Sequence, residues 1–181
     1  MSEPSSPTPT VVAVNGSPSH PSRSRALAER AVDLLGGGRI IDLAELDPSA
    51  LLALSSDAGV DEARDAIAAA DILVIATPVY RATYTALTKS IFDLLPPGGL
   101  ADAVVIPIAS GAGPDHRLAV DHGLRPLVAS LEGWTTPTGV YATRDEVPDG
   151  GALSDAVEHA LVRATSEALF AAGALVARSA G

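Results

Sequence analysis

The sequence predicts an α/β fold in which a five-stranded, doubly wound parallel sheet carries helices on both faces. Three observations support this class. Five short apolar runs are typical of buried strands, segments with helical periodicity separate them, and Gly- and Pro-rich turns stand between the two kinds of segment. We expect one domain over residues 10–181, preceded by a disordered Ser/Pro/Thr-rich tail over residues 1–9.

Each predicted strand is a short run dominated by Val, Ile, Leu and Ala, as in strands that are buried on both faces. In chain order they are residues 11–15, 39–43, 72–76, 103–109 and 134–142. Pro137 lacks the N–H group that a central strand donates, so it favours an edge position for the fifth strand.

Apolar side chains recur at helical spacing between the strands. The predicted helices are residues 24–35, a segment carrying Val60, Ala63, Ile67 and Ala70, residues 84–95, residues 115–131, and a last helix with the stripe Leu153, Val157, Leu161, Ala164 and Ala168. Glycines 36–38 end the first helix, and the region near Pro48 is irregular or briefly helical. Pro126 removes the hydrogen bond to the carbonyl of His122, so we expect a local bulge at His122.

Composition excludes several classes of function. Hydrophobic residues make up 47% of the 181 residues and aromatic residues only 3%, so the core must consist of Ala, Leu, Val and Ile. The net charge of −10 argues against nucleic acid or an anionic membrane as a partner. The absence of cysteine excludes disulfides and thiolate chemistry. No signal peptide pattern and no membrane-spanning apolar run is found, so we expect a cytoplasmic location.

The segment after the first strand, residues 16–25, is suited to binding a phosphate. A helix N-terminus there offers free N–H groups, and the segment contains no acidic residue. Neither the G-K-[ST] pattern nor G-x-G-x-x-G is present, which favours a mononucleotide. An ordinary loop with a serine N-cap is the alternative. The candidate phosphate-binding side chains are Ser17, Ser19, Ser22, Arg23, Ser24 and Arg25.

The segments after the third and fourth strands are suited to a flat ring. Residues 77–82 offer backbone donors and a rigid wall, because Pro78 fixes φ. Residues 108–113 are small, so their backbone can approach a ring closely. Alternatively, Tyr80 caps the core and the glycines simply turn the chain. Ligands of open α/β sheets bind beyond the carboxyl ends of the strands, so three such loops together predict one mononucleotide site.

Two other chemistries find little support. His116 and His122 are six residues apart, which is about 600° of helical rotation, so they share no face and no metal site is expected. A serine hydrolase with Ser17 or Ser22 as nucleophile and His116 as base would need the G-x-S-x-G pattern, which is absent.

Four blocks, GSPSHPSRS, ATPVYRATYTALTKSIFDLLP, PIASGAG and LAVDHGLRPLVASL, resemble the NADPH-dependent FMN reductase family, specifically its alkanesulfonate-system type. The resemblance implies a flavodoxin-like fold and an NAD(P)H:FMN oxidoreductase that supplies reduced flavin to a partner monooxygenase. It also implies that Ser17, Ser22 and Ser24 hold the FMN phosphate. The residues implied to line the isoalloxazine ring are Pro78, Val79, Tyr80, Arg81, Ser110 and Gly111.

The chain departs from the family pattern at two places. Ser19 stands where the family often has an arginine on the phosphate, and Ser110-Gly111-Ala112 replaces the usual Thr-Gly-Gly. Hydride transfer depends on positioning the two reactants, so we expect no catalytic side chain. Arg81 is expected to meet the phosphates of NADPH or NADH, or the electron-rich edge of the flavin; the alternative is a solvated surface arginine.

The resemblance also bears on assembly and on alternative functions. Family members are commonly tetrameric, with the helix near His122 at the interface, so a homodimer or homotetramer is expected. An enzyme that retains FMN and reduces a quinone or azo compound, and a non-catalytic flavin carrier, are the alternatives. The sequence leaves open the choice between NADPH and NADH and whether FMN dissociates.

Overall fold

A computed structural model describes residues 8–149 and 152–179. The strands are β1 (Val11–Asn15), β2 (Arg39–Asp42), β3 (Ile72–Pro78), β4 (Val104–Gly111), β5 (Trp134–Thr135) and β6 (Val140–Thr143). The α-helices are α1 (Arg23–Leu34), α2 (Pro48–Leu51), α3 (Ala58–Ala68), α4 (Ala86–Asp93), α5 (Arg125–Ser130) and α6 (Asp155–Ser179). Residues 1–7 of the predicted tail lie outside the described residues, and Thr8 and Pro9 have no regular structure.

The strands form one parallel sheet in the order β2-β1-β3-β4-β5, with β6 pairing the second half of β4. This 2-1-3-4-5 order is the flavodoxin-like form of the doubly wound fold, so the predicted fold class is confirmed. The strand order reverses between β1 and β3, and ligands of such sheets bind at the carboxyl ends beside that reversal.

Helices cover both faces of the sheet, as predicted. Side chains of a strand alternate between faces, so Val12 and Val14 pack with α2 to α5, whereas Val11 and Ala13 pack with α1 and α6. Small residues such as Ala28 let α1 lie close to the sheet. No helix of the described ranges is long and apolar enough to cross a membrane.

The fifth strand differs from the prediction, because the predicted run 134–142 is divided into β5 and β6. Pro137 lies in the gap and has no N–H group with which to continue the ladder. The guanidinium of Arg125 fills the break: it donates to the carbonyls of Thr136 at 2.8 Å and Pro137 at 2.7 Å. The edge position expected from Pro137 is confirmed.

The helix predicted over residues 115–131 is not continuous. A 3₁₀ turn at Pro114–Arg117 precedes a π-helical turn at Val120–Leu124, and α5 follows. The Arg125 amide donates to the carbonyl of Val120, five residues back. Because Pro126 has no N–H group for the carbonyl of His122, the expected bulge forms at His122 and is confirmed.

Side-chain caps set the helix starts within two residues of the predicted positions. Ser22 caps α1, so that helix begins at Arg23, one residue earlier than predicted. Thr85 caps α4, so that helix begins at Ala86 rather than at residue 84. Ala70 packs in the core just beyond the end of α3.

Candidate functional site

The residues predicted to bind a ligand lie at the carboxyl edge of the sheet. Residues 16–22 follow β1, residues 79–83 follow β3, residues 112–113 follow β4 and residues 144–149 follow β6. The four strands are parallel neighbours, so these segments meet at one edge. The first three segments are the predicted loops, and the fourth carries no motif that the sequence singles out.

Ser22 and Ser24 shape the start of α1. Ser22 Oγ accepts a hydrogen bond from the Arg25 amide at 3.2 Å, and the buried Ser24 hydroxyl donates to Asn15 Oδ1 at 2.9 Å. The two serine oxygens lie 2.9 Å apart. Among the described residues, nothing accepts from the amides of Ser22, Arg23 and Ser24. The start of α1 therefore presents three free N–H groups, which suits an anion.

Asn15 ties this loop to the sheet, and sequence reasoning missed it. Its side-chain amide donates to Asp42 at 2.6 Å, while its oxygen accepts from Ser24. Asp42 is only 7% exposed and also forms an ion pair with Arg25. The Arg25 guanidinium is thus engaged by a carboxylate rather than offered to a ligand. A polar residue at the end of an otherwise apolar strand was the available signal for Asn15.

Ser17 and Ser19 have different surroundings. Ser17 is buried; its amide donates to Asn15 Oδ1 at 3.3 Å and its Oγ accepts from the Ser19 amide at 3.2 Å. Ser19 itself is exposed. Ser17 therefore fixes the loop from within, and the Ser19 hydroxyl is accessible from solvent.

Arg23 faces the segment after β6. Its Nε donates to the carbonyl of Val147 at 3.1 Å, and its Nη2 pairs with Asp149 at 3.2 Å. Both contacts span more than 120 residues of sequence, so no local pattern could have predicted them. The Arg23 guanidinium is thus engaged by the segment after β6.

The loop after β3 is a tight turn. Tyr80 and Thr83 exchange backbone hydrogen bonds of 2.9 and 3.2 Å, and the two residues between them have left-handed backbones, with φ +49° at Arg81 and +71° at Ala82. Residues other than glycine rarely adopt this backbone conformation, so the turn is strained. Val79 is buried at its base, whereas Tyr80 is 49% exposed. The turn presents Arg81 to solvent.

The loop after β4 lies directly beside this turn. The buried Ser110 accepts a hydrogen bond from the Val79 amide through its carbonyl, at 2.7 Å. A Cβ at Gly111 would collide with Tyr141 Oη and lie 3.0 Å from His116 Nδ1, so the space there requires glycine. Tyr141 donates to the carbonyl of Gly113, and burial raises the pKa of its hydroxyl, with Glu146 adding to the shift. His116 Nδ1 is buried and has no hydrogen-bond partner among residues 8–149 and 152–179.

A pocket of about 190 Å³ opens where these loops meet. Its lining contains most of the predicted ring residues together with two arginines: Arg23, Pro78, Val79, Tyr80, Ser110, Gly111, Ala112 and Arg144. Sequence reasoning missed Arg144, which directly follows β6. The available signal was a basic residue directly after the last strand of the sheet. Of residues 16–25 the lining contains Arg23 and none of the serines, and Arg81 also lies outside it. The pocket therefore joins the start of α1 to the predicted ring loops.

The cations of this edge fall into two groups. Arg23 and Arg25 pair with carboxylates. Within the described residues, Arg81, Arg117 and Arg144 have no carboxylate at ion-pair distance, and all three follow strands at the carboxyl edge. Unpaired guanidinium groups in a chain of net charge −10 favour an anionic ligand at this edge.

The two histidines lie in different elements of the structure. His116 belongs to the 3₁₀ turn beside Gly111, and His122 is exposed in the π-helical turn. No three metal-ligating side chains of the described residues come together.

Comparison with known proteins identifies the family to which this chain belongs. The model of the family described as NADPH-dependent FMN reductase matches residues 9–147. The NADH-dependent FMN reductase SfnE of Pseudomonas putida is 38% identical over 147 residues, which cover 77% of this chain and 79% of that protein. The FMN reductase (NADPH) of Escherichia coli K12 is 36% identical over 144 residues, 77% of this chain and 75% of that protein.

A solved structure agrees with these relatives. The apo form of the NADH:FMN oxidoreductase EMOB superposes with a TM-score of 0.84 at 37% identity, covering 91% of this chain and 90% of that one. The sequence relatives and the structural neighbour thus have the same activity in their names, and the resemblance seen in the four sequence blocks is confirmed. The chain belongs to the NADPH-dependent FMN reductase family and is an NAD(P)H:FMN oxidoreductase.

Proposed function

We propose that this enzyme binds FMN across the carboxyl edge, reduces it with NADPH or NADH, and releases it to a partner monooxygenase. The FMN phosphate lies at residues 16–24, and the ring lies against Pro78, Val79, Tyr80, Arg81, Ser110 and Gly111. The observation that carries the proposal is that Arg23, at the start of α1, and five of these six ring residues, all but Arg81, line one pocket. Relatives named FMN reductases give the same reaction.

The chemistry of the donors fits a phosphate. Three free amides at the start of α1, the accessible hydroxyl of Ser19 and the absence of acid from residues 16–25 suit a dianion. The hydroxyls of Ser22 and Ser24 add polar oxygens beside those amides and hold the helix end in place. FMN supplies the hydride-accepting chemistry, and the chain supplies binding and orientation.

The ring loops position and shield the reacting face. Pro78 and Val79 form an apolar floor, since Val79 is only 9% exposed. Ser110 and Gly111 line the same pocket, and Gly111 leaves room for Tyr141 and His116 to pack behind its backbone. Arg81, held at the tip of a strained turn, meets the phosphates of the nicotinamide cosubstrate.

Dissociable FMN is supported by how the cations of the phosphate loop are used. Arg23 is paired with Asp149 and Arg25 with Asp42, and Ser19 replaces the arginine common in the family. Phosphate binding then depends on amides and hydroxyls without a free guanidinium, which weakens it. A loosely held flavin can leave after reduction and serve a second enzyme.

We infer a homodimer or homotetramer that uses the surface near His122. Leu118, one helical turn before His122, is 57% exposed, and the family resemblance places an interface at this helix. Sedimentation velocity on the purified protein tests this inference, and a monomer at all concentrations would contradict it.

The function is tested by oxidation of NADPH and NADH in the presence and absence of added FMN. Saturable turnover that requires added FMN supports a released flavin. Turnover by protein that keeps its flavin through gel filtration and needs a quinone or azo compound would indicate the acceptor-type reductase instead. FMN binding without any nicotinamide oxidation would indicate a flavin carrier.

A further inference from the structure

Three buried threonines lie between the phosphate loop and the ring loop. Thr77 is near the end of β3, Thr85 caps α4, and Thr88 is in the first turn of α4; they are 1%, 3% and 0% exposed. Hydroxyl groups this deeply buried cost free energy unless they are hydrogen-bonded. The function described above assigns them no role.

Each of the three hydroxyl protons has an acceptor. Thr85 donates to the carbonyl of Gly16 at 2.6 Å, Thr88 donates to Thr77 at 3.0 Å, and Thr77 donates to the carbonyl of Pro78 at 3.1 Å. The oxygens also accept: Thr77 from the Thr85 amide and Thr85 from the Thr88 amide, both at 3.2 Å. The cluster is fully satisfied and therefore specifies one arrangement.

The cluster holds the first residue of the phosphate loop on several sides. The Gly16 amide donates to Ala76 at 2.8 Å, while its carbonyl is fixed by Thr85. A Cβ at Gly16 would collide with Thr88 Oγ1 and lie 3.2 Å from Thr77 Oγ1. Gly16 therefore has no room for a side chain, and the threonines fix where residues 17–22 begin.

The same hydroxyls reach the ring loop. Thr77 bonds the carbonyl of Pro78, and Pro78 and Val79 line the pocket. One buried cluster thus connects the two loops that the proposed function gives to the two ends of FMN. Ordinary core threonines would bond only within their own helix, as Thr165 does with the carbonyls of Leu161 and Val162.

We propose that Thr77, Thr85 and Thr88 are positioning residues that set the phosphate loop and the ring loop at the spacing FMN requires. The inference rests on the proposed FMN site. It predicts that losing the Thr85 hydroxyl weakens FMN binding far more than losing a buried hydroxyl elsewhere.

The first test compares Thr85→Val, Thr85→Ser and the control Thr165→Val. Thr85→Val should weaken FMN binding about tenfold, the size expected when one buried hydrogen bond no longer holds the loop. Thr85→Ser keeps both the cap and the bond to Gly16 and should restore wild-type affinity. Thr165→Val should leave the FMN dissociation constant unchanged. Flavin fluorescence titration measures all three.

A second test does not depend on FMN. In ligand-free protein, Thr85→Val should speed amide hydrogen exchange in residues 16–19 by about tenfold relative to wild type, and Thr165→Val should not. Gly16→Ala should accelerate the same amides, and adding Thr88→Ala should partly reverse this, because it removes the oxygen that the new Cβ meets. Mass spectrometry of the exchanged protein measures these rates.

The outcomes separate the inference from the proposed function. Wild type that binds no FMN would refute the proposed site, while the exchange rates would still show whether the threonines hold the loop. Wild type that binds FMN, with Thr85→Val equal to Thr165→Val in both affinity and exchange, would overturn the positioning role. A larger loss of FMN affinity in Thr85→Val than in Thr165→Val, at comparable falls in thermal midpoint, would support it most directly.

Discussion

The loop after β1 and the turn after β3 lie at the same edge of the sheet but are held in opposite ways. In the first loop, side chains make the bonds, and Asn15, Ser17 and Ser24 link it to the sheet. In the second, the backbone closes the turn between Tyr80 and Thr83, and Arg81 extends with no carboxylate partner in the described part of the chain. A prebuilt loop suits the invariant phosphate of FMN, and an exposed cation suits a cosubstrate that arrives and leaves.

The largest effect is expected from replacing Asn15, whose side chain bonds Ser17, Ser24 and Asp42. Asn15→Leu leaves the Ser24 hydroxyl and the Ser17 amide without their acceptor and takes one partner from the buried Asp42. We expect the free energy of unfolding to fall by about 3 kcal/mol and FMN binding to be lost. Urea denaturation and flavin titration measure the two effects. A loss no greater than that of Thr165→Val would show that Asn15 does not hold the loop after β1.

The second largest effect is expected from removing the guanidinium of Arg81. Arg81→Ala should raise the Michaelis constant for the nicotinamide cosubstrate about tenfold, as expected for loss of one guanidinium–phosphate contact, and leave the FMN dissociation constant nearly unchanged. Arg64→Ala, which removes a half-buried arginine of α3 that pairs with Asp61, is the control. Equal Michaelis constants in Arg81→Ala and Arg64→Ala would remove Arg81 from the site.

A smaller effect should follow from releasing Arg23. Asp149→Asn breaks the 3.2 Å ion pair and frees a guanidinium beside the phosphate loop. We expect FMN to bind a few-fold more tightly, about 0.5 to 1 kcal/mol, with the gain shrinking at high salt. Asp145→Asn removes the same charge from an exposed neighbour and should change FMN affinity less. Equal gains in both variants would mean that only net charge matters.

The smallest effect concerns the segment that carries Arg144. Hydrogen bonds from the Thr143 amide at 2.8 Å and its hydroxyl at 2.7 Å hold the pKa of Glu146 below its ordinary value of 4.5. A pKa lowered by folding stabilises the fold above the unfolded-state value, and this stabilisation is lost as pH falls through the folded-state value. Glu146→Gln should therefore flatten the decline in thermal midpoint below pH 4.5.

Sequence patterns predicted the strands, apart from the break in the fifth, because burial and periodicity are local properties. Pro126 and Pro137 likewise predicted the bulge at His122 and the edge strand, since a missing N–H group acts on residues close in sequence. The contacts that define the site are different: Arg23 meets Asp149 and Asn15 meets Asp42 across long stretches of chain. Which guanidinium is paired and which is exposed follows only from the tertiary structure.

The turn at Arg81 and Ala82 was also invisible to pattern reasoning. Left-handed backbones usually call for glycine or asparagine, and the sequence has neither there. The strain is tolerated because Val79 is buried below the turn and its amide is bonded to Ser110.

The divided strand at the far side of the sheet has a consequence for solubility. An uninterrupted edge strand offers a row of unpaired N–H and C=O groups on which strands of other molecules can assemble. Here Pro137 breaks the row, and the Arg125 guanidinium occupies the carbonyls exposed at the break. What remains is a two-residue and a four-residue piece, too short to template ordered aggregation in a chain whose core strands are rich in Val and Ile.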